Sequence, residues 1–370
     1  MSRPRVLFLL AIGLLLAAYP MLASTFAVGT CKPSLPSFTT ISAAVSTVPP
    51  GSTIEVCPGT YPEQVTIAQP LTLKGITSGN AGQAVITVPG SGLSVVTTGF
   101  GVLIAAQVHV TAGPVNISDI TVDGTGSNGS NAQWLVGILY DSGSSGTVNE
   151  ITARNLNTSG SRAGVGVWAE NATGTNESVI IENSSFHDID NSAVLTLGST
   201  LLATVKGNTM ETGFITVQWD AAGSLTGNVV NGGVEGLSLS GPPSATTVSG
   251  NTVVNSTYGI VAFVGASITS NKISNAFTGI YFCCGSGWNI QSNSITKSSI
   301  GIEFNCSTAT VLHNTINDAT TGLDSVPASF SGANSFDNVA TLRTGGCASN
   351  AIHRPDLPAP PSGPMRAPAH

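Results

Sequence analysis

Residues able to carry acid–base or metal chemistry are scarce in this chain. Of 370 residues, 12 are Lys or Arg and 19 are Asp or Glu; there are five His and six Cys. Glu303 and Asp324, 21 positions apart, have the most suggestive spacing. If the chain repeats at about that period, they stand on adjacent turns, about 5 Å apart at the backbone. Carboxylates placed so closely share a proton, hold Ca²⁺, or divide acid and base roles. They are the catalytic candidates, with Tyr281 as a stacking platform one turn away. Trp168 and Trp219 come late in their strands, near Glu170 and Asp220. Both are candidate carbohydrate-binding residues, because a flat apolar ring complements the C–H face of a sugar. "FHDID" (Phe186–Asp190) sets His187 among carboxylates without a visible third ligand and reads as a turn. His109, His187, His313, His353 and His370 lie far from any Cys-x-x-Cys, which the chain lacks. No metal site and no cofactor are therefore expected, with Ca²⁺ the one option.

The elements that must position these residues follow from a repeat. Asn208, Asn228, Asn251, Asn271, Asn293, Asn314 and Asn334 recur at spacings of 20, 23, 20, 22, 21 and 20. Three residues before the Asn stand Val205, Leu225, Val248, Ile268, Ile290 and Val311. Two after it stand Met210, Val230, Val253, Ile273, Ile295, Ile316 and Phe336. Eight after it come Gly236, Gly259, Gly279, Gly301 and Gly322, each followed by an aliphatic residue. The template predicts two short strands meeting at an Asn bend and a third opening at the Gly. Asn tolerates the left-handed conformation of a tight bend, and stacked Asn side chains hydrogen-bond up the column. Three strands per turn of about 22 residues make a parallel β-helix, whose coils bury apolar residues only against their neighbours. Leucine-rich repeats share the period, but here the position five before the Asn is Gly223, Thr246 or Ala266, and the return segments are poor in helix formers. Strand alternation places Leu237, Ile260, Ile280, Ile302 and Leu323 inward and Ser238, Val261, Tyr281, Glu303 and Asp324 outward.

The ends read differently. Arg3 and Arg5 precede an apolar run to Ala18, broken by Pro20, with small residues to Ala27: a signal peptide over 1–27. Residues 28–75 form an N-terminal cap and first coils. Ile41, Ala44, Val45 and Val48 recur at helical spacing, so a short helix there plugs the open end of the solenoid. Repeats fill 76–347, and 348–370 is a disordered Pro-rich tail. An exported chain permits disulfides. Cys31 with Cys57 is the best pair. Cys284 and Cys306 are 22 apart and stack in register; a vicinal Cys283–Cys284 bridge competes, as does Cys283 with Cys347.

"PPGSTIEVCPGTYPEQVTI…LTLKG" followed by the repeating coils resembles the secreted right-handed parallel β-helix repeat proteins of the pectin-lyase-like superfamily, NosD-like β-helix proteins in particular. The resemblance spans about 38–346 and implies the fold more than an activity, since the superfamily holds lyases, hydrolases, esterases, epimerases and binders. "GTYPE" (Gly59–Glu63) is similar to the first pectin methylesterase signature, but its later signatures have no counterpart, so Gly59 and Tyr61 read as cap structure. The polygalacturonase signatures are likewise missing. Without the leader the chain carries 10 basic and 19 acidic residues, which excludes a basic nucleic-acid binder and suits a neutral glycan better than a polyuronate. The expectation is an all-β, secreted or periplasmic monomer with no membrane span once the leader is gone. It binds polysaccharide or a cell-surface glycan on its outer strand face with no demonstrable catalysis. The alternatives are a polysaccharide lyase, hydrolase or epimerase, and a structural or surface-interaction repeat protein.

Overall fold

A computed structural model describes residues 24–77, 83–126, 132–157, 163–241, 246–305 and 307–345. Most of the expected leader, the Pro-rich tail, Cys306 and Cys347 lie outside them. The first strand, Thr25–Val28, begins inside the stretch read as leader; Ala27 and Val28 are buried, in register with Glu55 and Val56.

The chain winds into a right-handed parallel β-helix with three sheets along its length. Every pairing among the described strands is parallel except one, Val96–Thr97 against Leu103–Ile104. The first sheet holds the strands before each Asn. Its inward column runs Val205, Leu225, Val248, Ile268, Ile290, Val311 in unbroken register. In the second sheet, Met210, Val230, Val253, Ile273, Ile295, Ile316 and Phe336 pair in the same way. The third sheet stacks Leu237, Ile260, Ile280, Ile302 and Leu323. Apart from the half-buried Phe336 at the last rung, these columns are buried, each aliphatic side chain contributing about 1.5–3 kcal/mol. All three columns are those read from the sequence.

The Asn column is a continuous hydrogen-bonded ladder. From Asn208 to Asn314, each residue donates its backbone N–H and its Nδ2 to the Oδ1 of the next Asn, at 2.9–3.1 Å. A second Nδ2 hydrogen reaches a carbonyl of the preceding coil, as in Asn251 to Leu225 at 2.9 Å. One expectation is corrected here. The left-handed residue of the bend is not the ladder Asn but the one before it: Gly227, Gly250, Ser270 (φ 58°), Ser292 (φ 56°) and His313 (φ 57°). The Asn is selected for its side chain, not for its backbone.

The Gly column answers to close approach. A Cβ on Gly279 would lie 2.6 Å from the Gly301 carbonyl oxygen and 2.6 Å from Ile295 Cγ2, and Gly236, Gly259 and Gly301 are as crowded. At the N-terminal end the helix Ile41–Thr47 closes the core with Ile41, Ala44 and Val45 buried. Thr40 caps it by accepting from the Ala43 N–H. Glu63, the last residue of "GTYPE", accepts from the Ile41 and Ser42 N–H groups at 2.9 and 2.8 Å. A carboxylate at a helix N-terminus satisfies orphan donors, so this segment is cap structure. The Cys31–Cys57 disulfide ties the same end together.

Candidate functional site

The outer side of the third sheet carries the residues the sequence singled out. Its outward column pairs Ser238 with Val261, Val261 with Tyr281, Tyr281 with Glu303, and Glu303 with Asp324. Glu303 and Asp324 thus stand on adjacent coils, both half-buried. Glu303 Oε2 accepts from Thr278 Oγ1 at 3.3 Å. Asp324 accepts from Ser325 Oγ at 2.9 Å and from Thr344 Oγ1. Burial, together with the charges of Glu303 and Glu235, pushes the Tyr258 hydroxyl up to about 12, so it stays a donor.

The aromatic residues depart from expectation. Tyr281 is on the outward side but only 4% exposed. Tyr258 and Phe263 pack edge-on against it at 6.0 and 6.5 Å, and its hydroxyl accepts from Asn305 Nδ2. Trp219 is fully buried in the interior column above Leu239, its indole N–H donating to Thr246 Oγ1 at 3.0 Å. Trp168 does face outward, but it too is fully buried, packed against Trp134 at 5.4 Å. None of the three offers an open ring to a sugar. Alternation predicts the side of a sheet and not what covers it. Cys284 is also corrected: it is bonded to Cys283, the competing arrangement, rather than to Cys306. The strand register that would stack Cys284 and Cys306 ends at the Tyr281–Glu303 pair, and Cys284 lies beyond it with a left-handed φ of 72°. His187 and Asp188, expected in a turn, lie instead in the strand Ser185–Ile189, where the register shifts between Phe186 and Ile189; His187 pairs with Asp188, whose φ of 54° marks that irregularity.

Trp168 is covered by a segment that no repeat pattern announces. Val96–Thr97 folds back on Leu103–Ile104, and this strap, with Val102 buried in it, closes over Trp134, Val136, Leu139, Trp168 and Leu195. Its fastening is a titratable cluster. His109 Nε2 and Asp141 Oδ2 are 3.0 Å apart, Asp141 Oδ1 accepts from the Gly99 N–H at 3.2 Å, and Glu170 accepts from the Trp168 indole at 3.2 Å and from Ser142 Oγ at 3.3 Å. Burial and the adjacent Asp141 charge push Glu170 up to about 7. Burial opposes ionisation of Asp141 too, but bonds from His109, Ser142 and Gly99 outweigh it and hold that carboxyl below its usual range. The two carboxyls are pushed in opposite directions, so Asp141 is charged at neutral pH while Glu170 gains and loses its proton around it.

A sequence model of the NosD family, described as periplasmic copper-binding protein, matches residues 148–338, just over half of the chain. The chain belongs to the NosD family. It is a secreted or periplasmic protein, and no helix among its described residues is long and apolar enough to cross a membrane. No curated protein sequence matches the chain. Among solved structures, the GH136 lacto-N-biosidase from Eubacterium ramulus is similar with a TM-score of 0.62 at 9% identity, covering 86% of this chain and 68% of that one. The polygalacturonase from Erwinia carotovora ssp. carotovora is similar with a TM-score of 0.41 at 13% identity, covering 89% and 96%. The first likeness shows the shared β-helix fold.

The family description raises copper, and the donor set among the described residues of this NosD-family chain does not fit it. Copper favours imidazole, thiolate and thioether ligands. Among the described residues no three His, Cys, Asp or Glu side chains converge for a metal ion. The four described cysteines are consumed in disulfides, and Met210 is locked in the core.

Proposed function

We propose that this NosD-family protein binds an extended polysaccharide on its outer strand face, without turning it over. One observation carries the reading: two adjacent, half-buried carboxylates, Glu303 and Asp324, stand in register at the end of the third sheet's outward column, whose earlier members Ser238, Val261 and Tyr281 are buried. A rigid column repeating at the strand spacing, about 4.8 Å, suits a ligand that is itself a repeating extended chain. Carboxylates accept paired hydroxyls in strong, charge-assisted hydrogen bonds.

A second reading, an acid–base enzyme on the same class of ligand, is favoured by the Asp141–Glu170 pair. Glu170 is 1% exposed, so this reading requires the strap over it to open. A panel of neutral and acidic polysaccharides, screened for binding and for product with and without Ca²⁺, separates the two. Binding without product, weakened by Glu303→Gln with Asp324→Asn, supports the first. Product lost in Glu170→Gln supports the second. Binding of nothing in the panel sinks both.

A further inference from the structure

A second surface, beside the third-sheet face, has the shape of a binding track. Four residues after each of the last four ladder Asn the chain turns through another left-handed residue: Asn275 (φ 54°), Lys297 (φ 54°), Asp318 (φ 52°) and Asn338 (φ 51°). These side chains are exposed, one per coil, and Lys297, Asp318 and Asn338 form one wall of a cavity of 650 Å³ that spans consecutive coils. Its floor is made of small side chains, among them Ser298. Ser298 is only 4% exposed, and its Oγ has no hydrogen-bond partner. A buried hydroxyl left without a partner in a polar cavity is a group that a ligand or water must satisfy. Phe277, next in sequence to the lining residue Ala276 though not itself in the lining, is 54% exposed.

We infer that this groove binds a neutral, extended oligosaccharide laid parallel to the solenoid axis, about one sugar unit per coil. The inference rests on the polysaccharide reading above and adds a place and a ligand class to it. The wall repeats at the strand spacing, about 4.8 Å, close to the length of one pyranose unit along an extended chain. It presents the Lys297 ammonium, the Asp318 carboxylate and the Asn338 amide in succession, so sugar hydroxyls find both donors and acceptors. Asn338 Nδ2 already donates to Asp318 Oδ1 at 2.7 Å, which fixes that carboxylate in place. The charges argue for neutrality: a polyuronate meets Asp318, a polycation meets Lys297, and an uncharged chain offends neither. Phe277 supplies the exposed ring that Trp168, Trp219 and Tyr281 do not, suited to the C–H face of a sugar.

The test is titration calorimetry of the full chain with neutral oligosaccharides of two to seven units. Three proteins are compared: wild type, a groove variant, Lys297→Gly/Asp318→Gly/Asn338→Gly, and the face variant, Glu303→Gln/Asp324→Asn. Glycine keeps the left-handed backbone at all three groove positions, so fold is retained, and thermal unfolding verifies it. Phe277→Ala is the independent second probe. Affinity should rise with length to about four units, one per lining coil, and then level off. The groove variant should weaken binding by roughly tenfold or more, as expected for loss of one or two charge-assisted hydrogen bonds, and Phe277→Ala should weaken it several-fold. Wild-type affinity in the groove variant and in Phe277→Ala overturns the groove. If the face variant alone loses binding, the groove fails while the outer-face reading stands. If wild type binds no neutral oligosaccharide, both fail together.

Discussion

Truncating Asn251 to Ala tests the ladder where it is deepest. Asn251 is fully buried and makes four side-chain bonds. Its Oδ1 accepts from the Asn228 N–H at 3.0 Å and from Asn228 Nδ2 at 2.9 Å; its Nδ2 donates to Leu225 O and to Asn271 Oδ1, each at 2.9 Å. Alanine leaves two donors on Asn228 without their acceptor and takes one donor away from the Leu225 carbonyl. Each buried group so orphaned costs about 1–3 kcal/mol; with partial relief from water, the loss should be about 3–6 kcal/mol. Asn334 is the internal control. It sits half-buried at the last rung, accepts from the Asn314 N–H and Nδ2, and donates to Val311 O. Water reaches it, so Asn334→Ala should cost only about 1–2 kcal/mol. Urea unfolding followed by circular dichroism gives both numbers, and amide exchange along the Asn228–Asn271 coils locates the loss. Asn251→Asp sharpens the case: it keeps the acceptor and loses the donor while burying a charge, so it should destabilise strongly at pH 7 and less at pH 3. An Asn251→Ala variant within about 0.5 kcal/mol of wild type, or one no worse than Asn334→Ala, would refute the ladder as a source of stability.

Two further predictions concern the strap and the Gly column. Glu170 has its carboxyl raised in the folded protein to about 7 from an ordinary 4.5, so protonation favours the fold. Its stabilising contribution is full below pH 4.5 and is lost as pH climbs through 7, up to about 3 kcal/mol. Glu170→Gln should therefore flatten the loss of stability between pH 5 and pH 8, read by thermal unfolding and Trp emission. An unchanged slope counts against the cluster as the strap's fastening. Gly279→Ala should cost about 1–3 kcal/mol or more by overpacking, whereas Gly90→Ala, with nothing within 4 Å of its Cβ, should be neutral or gain about 0.4–1 kcal/mol. Denaturant midpoints decide, and equal effects at the two positions would contradict the crowding argument.

Much of the solenoid was legible because its constraints recur every coil. The Asn ladder, the crowded Gly and the three inward columns each repeat a local requirement, so their residues stand out at fixed offsets. The register placing Glu303 beside Asp324 follows from the same offsets. The wall of the groove was legible in principle too: Lys297, Asp318 and Asn338 all lie four residues after a ladder Asn. What no offset could reveal belongs to single events. The strap at Val96–Val102 occurs once, so neither the burial of Trp168 nor the meeting of His109, Asp141 and Glu170 leaves a periodic trace. Their coils are also the looser ones, where the Asn–Gly template is incomplete. For Trp219 the reason is simpler: in its strand the inward parity continues from Val217 to Trp219, and the flat-ring argument for a sugar platform took no account of that parity.

The central claim is that the outer strand face binds an extended glycan without turning it over. Affinity of the native protein for a neutral polysaccharide, measured by calorimetry alongside chromatography of the same mixture for released fragments, tests it most directly. The account predicts saturable binding, no fragments with or without Ca²⁺, and roughly tenfold weaker binding in Glu303→Gln/Asp324→Asn. Fragment release, or binding by that variant indistinguishable from wild type, would contradict it.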